Sequence, residues 1–478
     1  MLQGLPDQHQ SHQRTRIAFS HASGVHSKAC SVPLTEPTVE IEPLRPAGTC
    51  QFLATINNIF GHVPINLRAS TGLPFFAAES QQWMESCTGQ KIDFDRLNLA
   101  SVRTRHRSVH ELGSTKEYFR HNVHPDLPDR SVVLSAFHEF ISSAAHRHFP
   151  FLHPGLLPYT LETAYDQKVS EVSPDIASAR ACIFAFIPFS SFIIEGKPLC
   201  NGSELRGFIQ EAQYLVSEIL DGNATLDGIQ ALLMLSICRL GQISTMNSIE
   251  PMFTTSIRFI FILGGHLNLA AQETPALFQV HCRSLFWIAY VMDNEICLRT
   301  CRPPAICADY CDLTLPSESE IATEFCLPHL QIPYIQILPF LFPSDLRLAS
   351  IQSKITKALH SPQAASKSDA ELLKTIRELD DVVDGWHKSL QLPDDPSAFP
   401  AQGVMTRDEA FGSSFMLLVQ YKYCIIAIHQ MSTGCAAWIA DPEALGIKLS
   451  LEVAANASRA LLQQFLGAKA VFQLGGFW

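Results

Sequence analysis

Four cysteines crowd one short stretch of the chain. Cys297, Cys301, Cys307 and Cys311 are spaced C-x3-C-x5-C-x3-C. Four thiolates suit tetrahedral zinc, and on a helix Cys297 and Cys301 would share a face. Structural zinc sites favour C-x2-C knuckles, however, and the chain contains none. Cys297 continues an apolar helical pattern, and Pro303-Pro304 stiffens the stretch between the two pairs. The cluster therefore reads as core thiols, and no residue is assigned to a metal. The histidines also gather, as His9 and His12, His106 and His110, and His146, His148 and His153. Without a pattern of carboxylates beside them to orient the rings, they read as solvated or capping residues.

Catalytic spacing is missing as well. The chain has no G-x-S-x-G elbow, no G-x-x-x-x-G-K-[ST] phosphate loop, no H-E-x-x-H and no G-x-G-x-x-G behind a strand. Gly264-Gly265-His266 follows the apolar run Phe259–Leu263 and reads as a helix end with glycine in the left-handed cap position. No catalytic residue and no cofactor are assigned, and the chain reads as a non-enzyme. The stretch Arg103-Thr104-Arg105-His106-Arg107 is the one basic run of the first half, and a run this short reads as a solvated face.

Composition narrows the classes further. Of 478 residues 47% are hydrophobic and 17% charged, which permits a large core and excludes global disorder. The formal charge of −11 argues against a chain-wide grip on nucleic acid, which needs clustered Lys and Arg. The first thirty residues carry no apolar stretch of secretory type. The run Ala181–Ile194 falls short of a membrane helix and reads as a core helix broken at Pro188. An intracellular protein with reduced thiols follows, in which the sequons at Asn201, Asn223 and Asn456 stay unmodified.

The elements that must position these residues are helical. Residues 1–48, rich in His, Gln, Ser and Pro, read as a flexible, disordered leader. Residues 49–130 read as loops and short helices packed on a main domain that occupies 131–478. Within it, Ser131 is expected to cap a helix running toward His146, Thr225 one beginning at Leu226, and Thr274-Pro275 one ending at Arg302-Pro303-Pro304. Ser368 to Glu371 is a capping box, followed by an apolar stripe at Leu372, Ile376, Leu379, Val383, Trp386 and Leu390. A second box, Thr406 to Glu409, opens a helix through Phe411 and Ile428, and Asp441-Pro442 opens the last. The segments 361–367 and 391–405 read as connecting loops. Strand alternation and internal repeats are lacking. The fold class is all-α, an irregular multi-helix domain behind a flexible leader.

Several segments resemble the middle homology region, the regulatory domain of fungal zinc-cluster transcription factors. Residues Phe137 to Leu157 resemble its aromatic helix and "phe-pro-x-x-his-pro" turn, here Phe149 to Pro154. Leu226 to Gly241 and Ser256 to Leu269 are similar to its next two helical motifs, with Arg258, Gly264 and His266 in place. Arg283, Leu285, Phe286, Trp287, Tyr290 and Asp293 match "arg-x-leu-phe-trp-x-x-tyr-x-x-asp". Cys301 to Ile306 match the "gly-arg-pro-pro-ala-ile" loop, which continues to Asp312–Pro316, with Cys301 where the family has glycine. Trp386 and the stretch Tyr421 to His429 resemble later helices, so the likeness spans roughly 130–466. Arg302 is expected to point at helix-end carbonyls or at Asp293.

The family's DNA-binding and zinc-binding module needs six cysteines among basic residues, and ahead of residue 130 stand only Cys30, Cys50 and Cys87. Zinc ligation is therefore not carried over. The end at Trp478, shortly after the last recognisable helix, reads as a truncation. The resemblance implies a nuclear regulator of fungal transcription, of a metabolic gene cluster, working through its helical domain. DNA contact would be indirect or weak, through other transcription factors or coregulators. A small-molecule effector and homodimers or heterodimers are further expected partners, and no membrane is. The alternative is a stand-alone helical module for protein interaction or small-molecule sensing, without a role at promoters.

Overall fold

Short polar side chains set the helix starts. In the computed structural model, which describes residues 125–194, 200–241, 246–268, 276–327, 334–390, 407–435, 437 and 445–467 together with Glu85 and Gly89, the first helix is capped by Asp129. The Asp129 carboxylate accepts the Ser131 N–H at 2.8 Å and opens α1 (Arg130–Ile141). The cap is thus Asp129 and not Ser131, and the helix stops short of His146. The hydroxyls of Ser142 and Ser143 bond back to the carbonyls of His138 and Phe140, which competes with helix continuation. A separate short helix, α2 (Ala144–His148), follows.

Next come α3 (Leu157–Asp166) and α4 (Ile176–Ile193), whose N-cap Asp175 accepts the Ser178 N–H. Pro188 lies inside α4 without breaking it. Proline cannot give an N–H to the carbonyl four residues back, which by itself costs a helix about 3 kcal/mol. Here Phe184, Phe186, Ile187 and Phe189 are all fully buried, so packing holds the helix straight through the missing bond. By length and composition α4 could cross a bilayer, but it packs on α1, α3, α5 (Gly202–Asp221) and α6 (Leu226–Gly241) as a core helix.

Asn201, at the first sequon, is the N-cap of α5, in a capping box with Glu204. Thr225 caps α6 as expected, its hydroxyl accepting the Gly228 N–H at 3.0 Å. Then α7 (Met246–Ile262) ends at Gly264, whose φ of 77° is the left-handed turn anticipated there. The long α8 (Leu277–Thr300) is buried over most of its length, and its expected start at Thr274-Pro275 lies outside the described residues. Ser317 forms a capping box for α9 (Glu318–Glu324), and Asp345 caps α10 (Leu346–Ile355).

The expected box of Ser368 and Glu371 opens α11 (Asp369–Ser389), and its stripe from Leu372 to Trp386 is buried. The helices α12 (Arg407–His429) and α13 (Leu445–Gly467) complete the order. Their expected starts at Thr406 and Asp441-Pro442 lie outside the described residues, as do the leader, nearly all of 49–124 and the loop 391–405. The 361–367 segment holds a one-turn helix, Pro362–Ala365. The fold is all-α, with no strand among the described residues.

Among the described residues two large apolar clusters organise the helices. The larger gathers α1 to α8, with Phe151 and Phe189 at 5.1 Å and Phe140 and Phe186 at 5.6 Å in edge-to-face contact. The smaller joins α11, α12 and α13. The two meet along α8 and α10, because Leu298, Leu348 and Ile351 face the second cluster while Leu285, Phe286, Leu346 and Ala349 face the first. Between these clusters most of α8 is sealed in, and its buried charged groups, Arg283, Asp293 and Glu295, must be satisfied by protein.

Candidate functional site

The charged residues of α8 grip the loop that follows it. Helix α8 ends at Cys301, which takes a left-handed conformation (φ 55°, ψ 26°) and returns its N–H to the Cys297 carbonyl at 2.8 Å. This is the geometry a glycine serves best, and a Cβ there is strained by about 1 kcal/mol. Pro303 and Pro304 then offer no N–H, so the next donors are those of Ala305 and Ile306. Both go to the buried Asp293 carboxylate, at 3.1 and 2.8 Å. Burial raises the Asp293 pKa to about 6, against the pull of these two N–H groups.

Arg302 pairs with Glu250 of α7. Farther along, Arg283 holds the other end of the loop. Its guanidinium donates to the carbonyls of Asp312 (2.6 Å) and Thr314 (3.2 Å) and, more weakly, of Gly265 (3.4 Å). It also lies 4.9 Å from the ring centroids of both Phe286 and Trp287. The Asp312 N–H closes the contact by donating to the His266 carbonyl at 3.0 Å. Arg283 and Asp293, ten residues apart on one helix, thus fix both ends of residues 301–316.

A notch opens between the start of α7, the C-terminal part of α8 and this loop. Ile249, Phe253 and Ile296 give it apolar walls, and Glu250, Asp293 and Arg302 give it charge. Its free volume is about 20 Å³, little more than a water molecule requires. The side chains can exchange an ion pair at the mouth and hold a small polar group.

A second constellation lies deeper. His281, fully buried on α8, has Nδ1 2.8 Å from Glu324 Oε1, while its Nε2 meets the Gln230 amide at 2.9 Å and the Phe151 carbonyl at 3.2 Å. Burial works against ionisation of Glu324, but the His281 ring beside it brings the carboxyl below its ordinary value. His153 bonds the Thr323 carbonyl at 3.1 Å, and His146 packs edge-on between Phe140 and Phe325. Burial lowers the His146 pKa to about 4. These two histidines are core residues and not solvated ones, because the aromatic turn from Phe149 to Pro154 folds inward and takes them along. His148 is likewise occupied, with Nδ1 3.0 Å from the Phe342 carbonyl. The pairs His9–His12 and His106–His110, and the basic run 103–107, lie outside the described residues.

Neither constellation is built for nucleophilic or metal chemistry. Cys326 Sγ sits 3.7 Å from His153 Nε2, but burial raises the thiol and lowers the imidazole, the reverse of an activated pair. Of the clustered cysteines, Cys297 is buried with its S–H toward Asp293, whereas Cys301 and Cys307 are exposed. Among the described residues no group of three or more His, Cys, Asp or Glu could hold a metal ion. Sequence reasoning missed Glu324, His281, Gln230 and the buried Asp227, which accepts from the hydroxyls of Thr160 and Ser173. Each is a single polar residue in an apolar or unremarkable setting, with a partner dozens of positions away, so local pattern carried no signal.

Comparison with known proteins bears on the same residues. The family described as "Fungal specific transcription factor domain" matches residues 138–388, just over half of the chain, and the match includes the aromatic turn, the whole of α8 and its loop. The chain is 25% identical over 448 residues to an ABC-transporter-regulating transcription factor of Aspergillus fumigatus, covering 91% of this chain and 48% of that one. It is 26% identical over 380 residues to the Aspergillus oryzae protein of the same name, covering 77% and 40%. Over 173 residues it is 30% identical to the Fusaridione A cluster transcription factor fsdR of Fusarium heterosporum, covering 33% and 30%. The chain spans about half the length, or less, of the curated relatives it matches. No solved structure matches it.

Proposed function

The chain belongs to the fungal specific transcription factor domain family, and from that premise we propose that it regulates transcription of a metabolic gene cluster through its helical domain. The observation that carries the reading is the match over residues 138–388, which contains the Arg283–Asp293 grip on the 301–316 loop. The names of the relatives point to regulators and not to enzymes, and one of them is tied to a gene cluster by its printed name. A nuclear location follows from this reading.

In this proposal the chain reaches promoters through a partner that carries the basic, sequence-reading module. One feature supports that division of labour: the net charge of −11 opposes a chain-wide grip on a phosphate backbone. Chromatin immunoprecipitation of the tagged protein tests the reading, with and without candidate zinc-cluster partners. Enrichment at a restricted set of promoters, lost when the partner is deleted, is the expected result. A protein that stays off promoters under every condition would instead be a stand-alone interaction or sensing module.

A further inference from the structure

The notch beside Arg302 has an unusual division of exposure. The Arg302 side chain is only 14% exposed, whereas its partner Glu250 is 46% exposed. The cation is therefore fixed by the fold, at the start of a loop held by Asp293, while the anion stands in water on the rim. Glu250 can swing outward at little expense, but Arg302 cannot follow without unseating the loop. A ligand that takes the place of Glu250 meets a guanidinium, and a planar carboxylate matches that fork.

The surroundings restrict the acid further. Asp293 also lines the notch, so a doubly charged anion such as a phosphate meets stronger repulsion than a monocarboxylate does. Ile249, Phe253 and Ile296 line the remaining wall and favour an aliphatic or aromatic tail. The free space of about 20 Å³ is too small for such a molecule as it stands, so entry requires the Glu250 side chain to leave.

We propose that this notch is a binding site for small monocarboxylic acids with an apolar tail, and that Glu250 is the internal carboxylate they displace. Binding transfers Arg302 from Glu250 to the ligand and so breaks this ion pair between the 301–316 loop and α7. The regulatory consequence of that break rests on the function proposed above, but the binding itself does not.

The test uses the purified full chain with hexanoate as the probe and hexanamide as its uncharged counterpart, followed by titration calorimetry. Hexanoate binds and hexanamide does not. Glu250→Gln removes the internal competitor and tightens hexanoate binding roughly tenfold, since a tethered carboxylate acts as a high local concentration of rival. Arg302→Gln abolishes binding, with a melting curve to confirm that the variant is folded. Glu250 is half in water, so Glu250→Gln keeps the fold and decides the matter even if Arg302→Gln does not. The site is refuted if Glu250→Gln binds hexanoate no more tightly than the wild type, if the amide binds as well as the acid, or if neither protein takes up hexanoate. Lack of binding with promoter occupancy intact sinks this site alone, and binding without promoter occupancy sinks only the regulatory reading.

Discussion

Replacing Arg283 should show how strongly α8 holds its loop. The side chain is 3% exposed and makes two good hydrogen bonds to the carbonyls of Asp312 and Thr314. Bonds of this charge-assisted kind contribute about 1.5–3 kcal/mol each. Its position over both Phe286 and Trp287 adds about 2 kcal/mol in a desolvated setting. The gross loss on removal is thus roughly 5–8 kcal/mol. Against it stands the cost of burying a guanidinium, several kcal/mol, which removal recovers. Arg283→Met should therefore destabilise by roughly 2–4 kcal/mol. Arg283→Lys should do no better, because one ammonium cannot span two carbonyls and two rings yet keeps the burial cost. Urea unfolding of the purified variants measures the loss, and hydrogen exchange should show faster amides in 301–316. A lysine variant within about 0.5 kcal/mol of wild type would mean the guanidinium fork is irrelevant, and the reasoning would fail.

Three further outcomes follow from individual sites. Cys301→Gly should stabilise by about 0.5–1 kcal/mol in thermal melts, since it relieves a left-handed Cβ, and a loss of stability would show the thiol to be structural. Gly265→Ala should cost about 2 kcal/mol or more, because its Cβ would sit 2.7 Å from the Cys282 carbonyl oxygen, while Gly385→Ala on open helix surface should gain about 0.5–1 kcal/mol. Burial raises Asp227 from its ordinary 3.8 to about 6, so its contribution to stability is full below about pH 4 and is lost as pH rises through 6. Asp227→Asn should remove that slope, changing the difference from wild type by about 3 kcal/mol between pH 4 and pH 7, and parallel stability curves would refute it.

What could be read from the sequence was what local spacing records. The Ser368–Glu371 box and the α11 stripe are written within a few turns of helix, and both hold in the structure. The left-handed end at Gly264 was legible for the same reason. The capping box of Asn201 and Glu204 is equally local, yet in the sequence the asparagine stands out only as part of an unmodified sequon. Pro188 misled because the rule that proline breaks helices describes an isolated helix, and α4 is enclosed by four others. The histidines misled differently. Exposure is a property of the fold, and nothing near His146 in sequence shows that Phe325 will close over it. The His281–Glu324 pair spans 43 positions, a pairing no window of sequence contains.

The signature around α8 is best understood through the energetics of burial. Two prolines in the loop delete donors, the turn before them strains a cysteine, and two charged residues are buried to hold what remains. Each of these features is unfavourable alone. An apolar helix and a flexible loop would satisfy the core equally well, since hydrophobic burial is indifferent to direction. Backbone N–H and carbonyl groups gripped by Asp293 and Arg283 are not indifferent, because hydrogen bonds in a low dielectric fix position as well as energy. The arrangement makes sense only if residues 301–316 need one conformation. That conformation sets Arg302 against Glu250 beside the α7 notch, so the shape of the turn and the ion pair with α7 are parts of one arrangement.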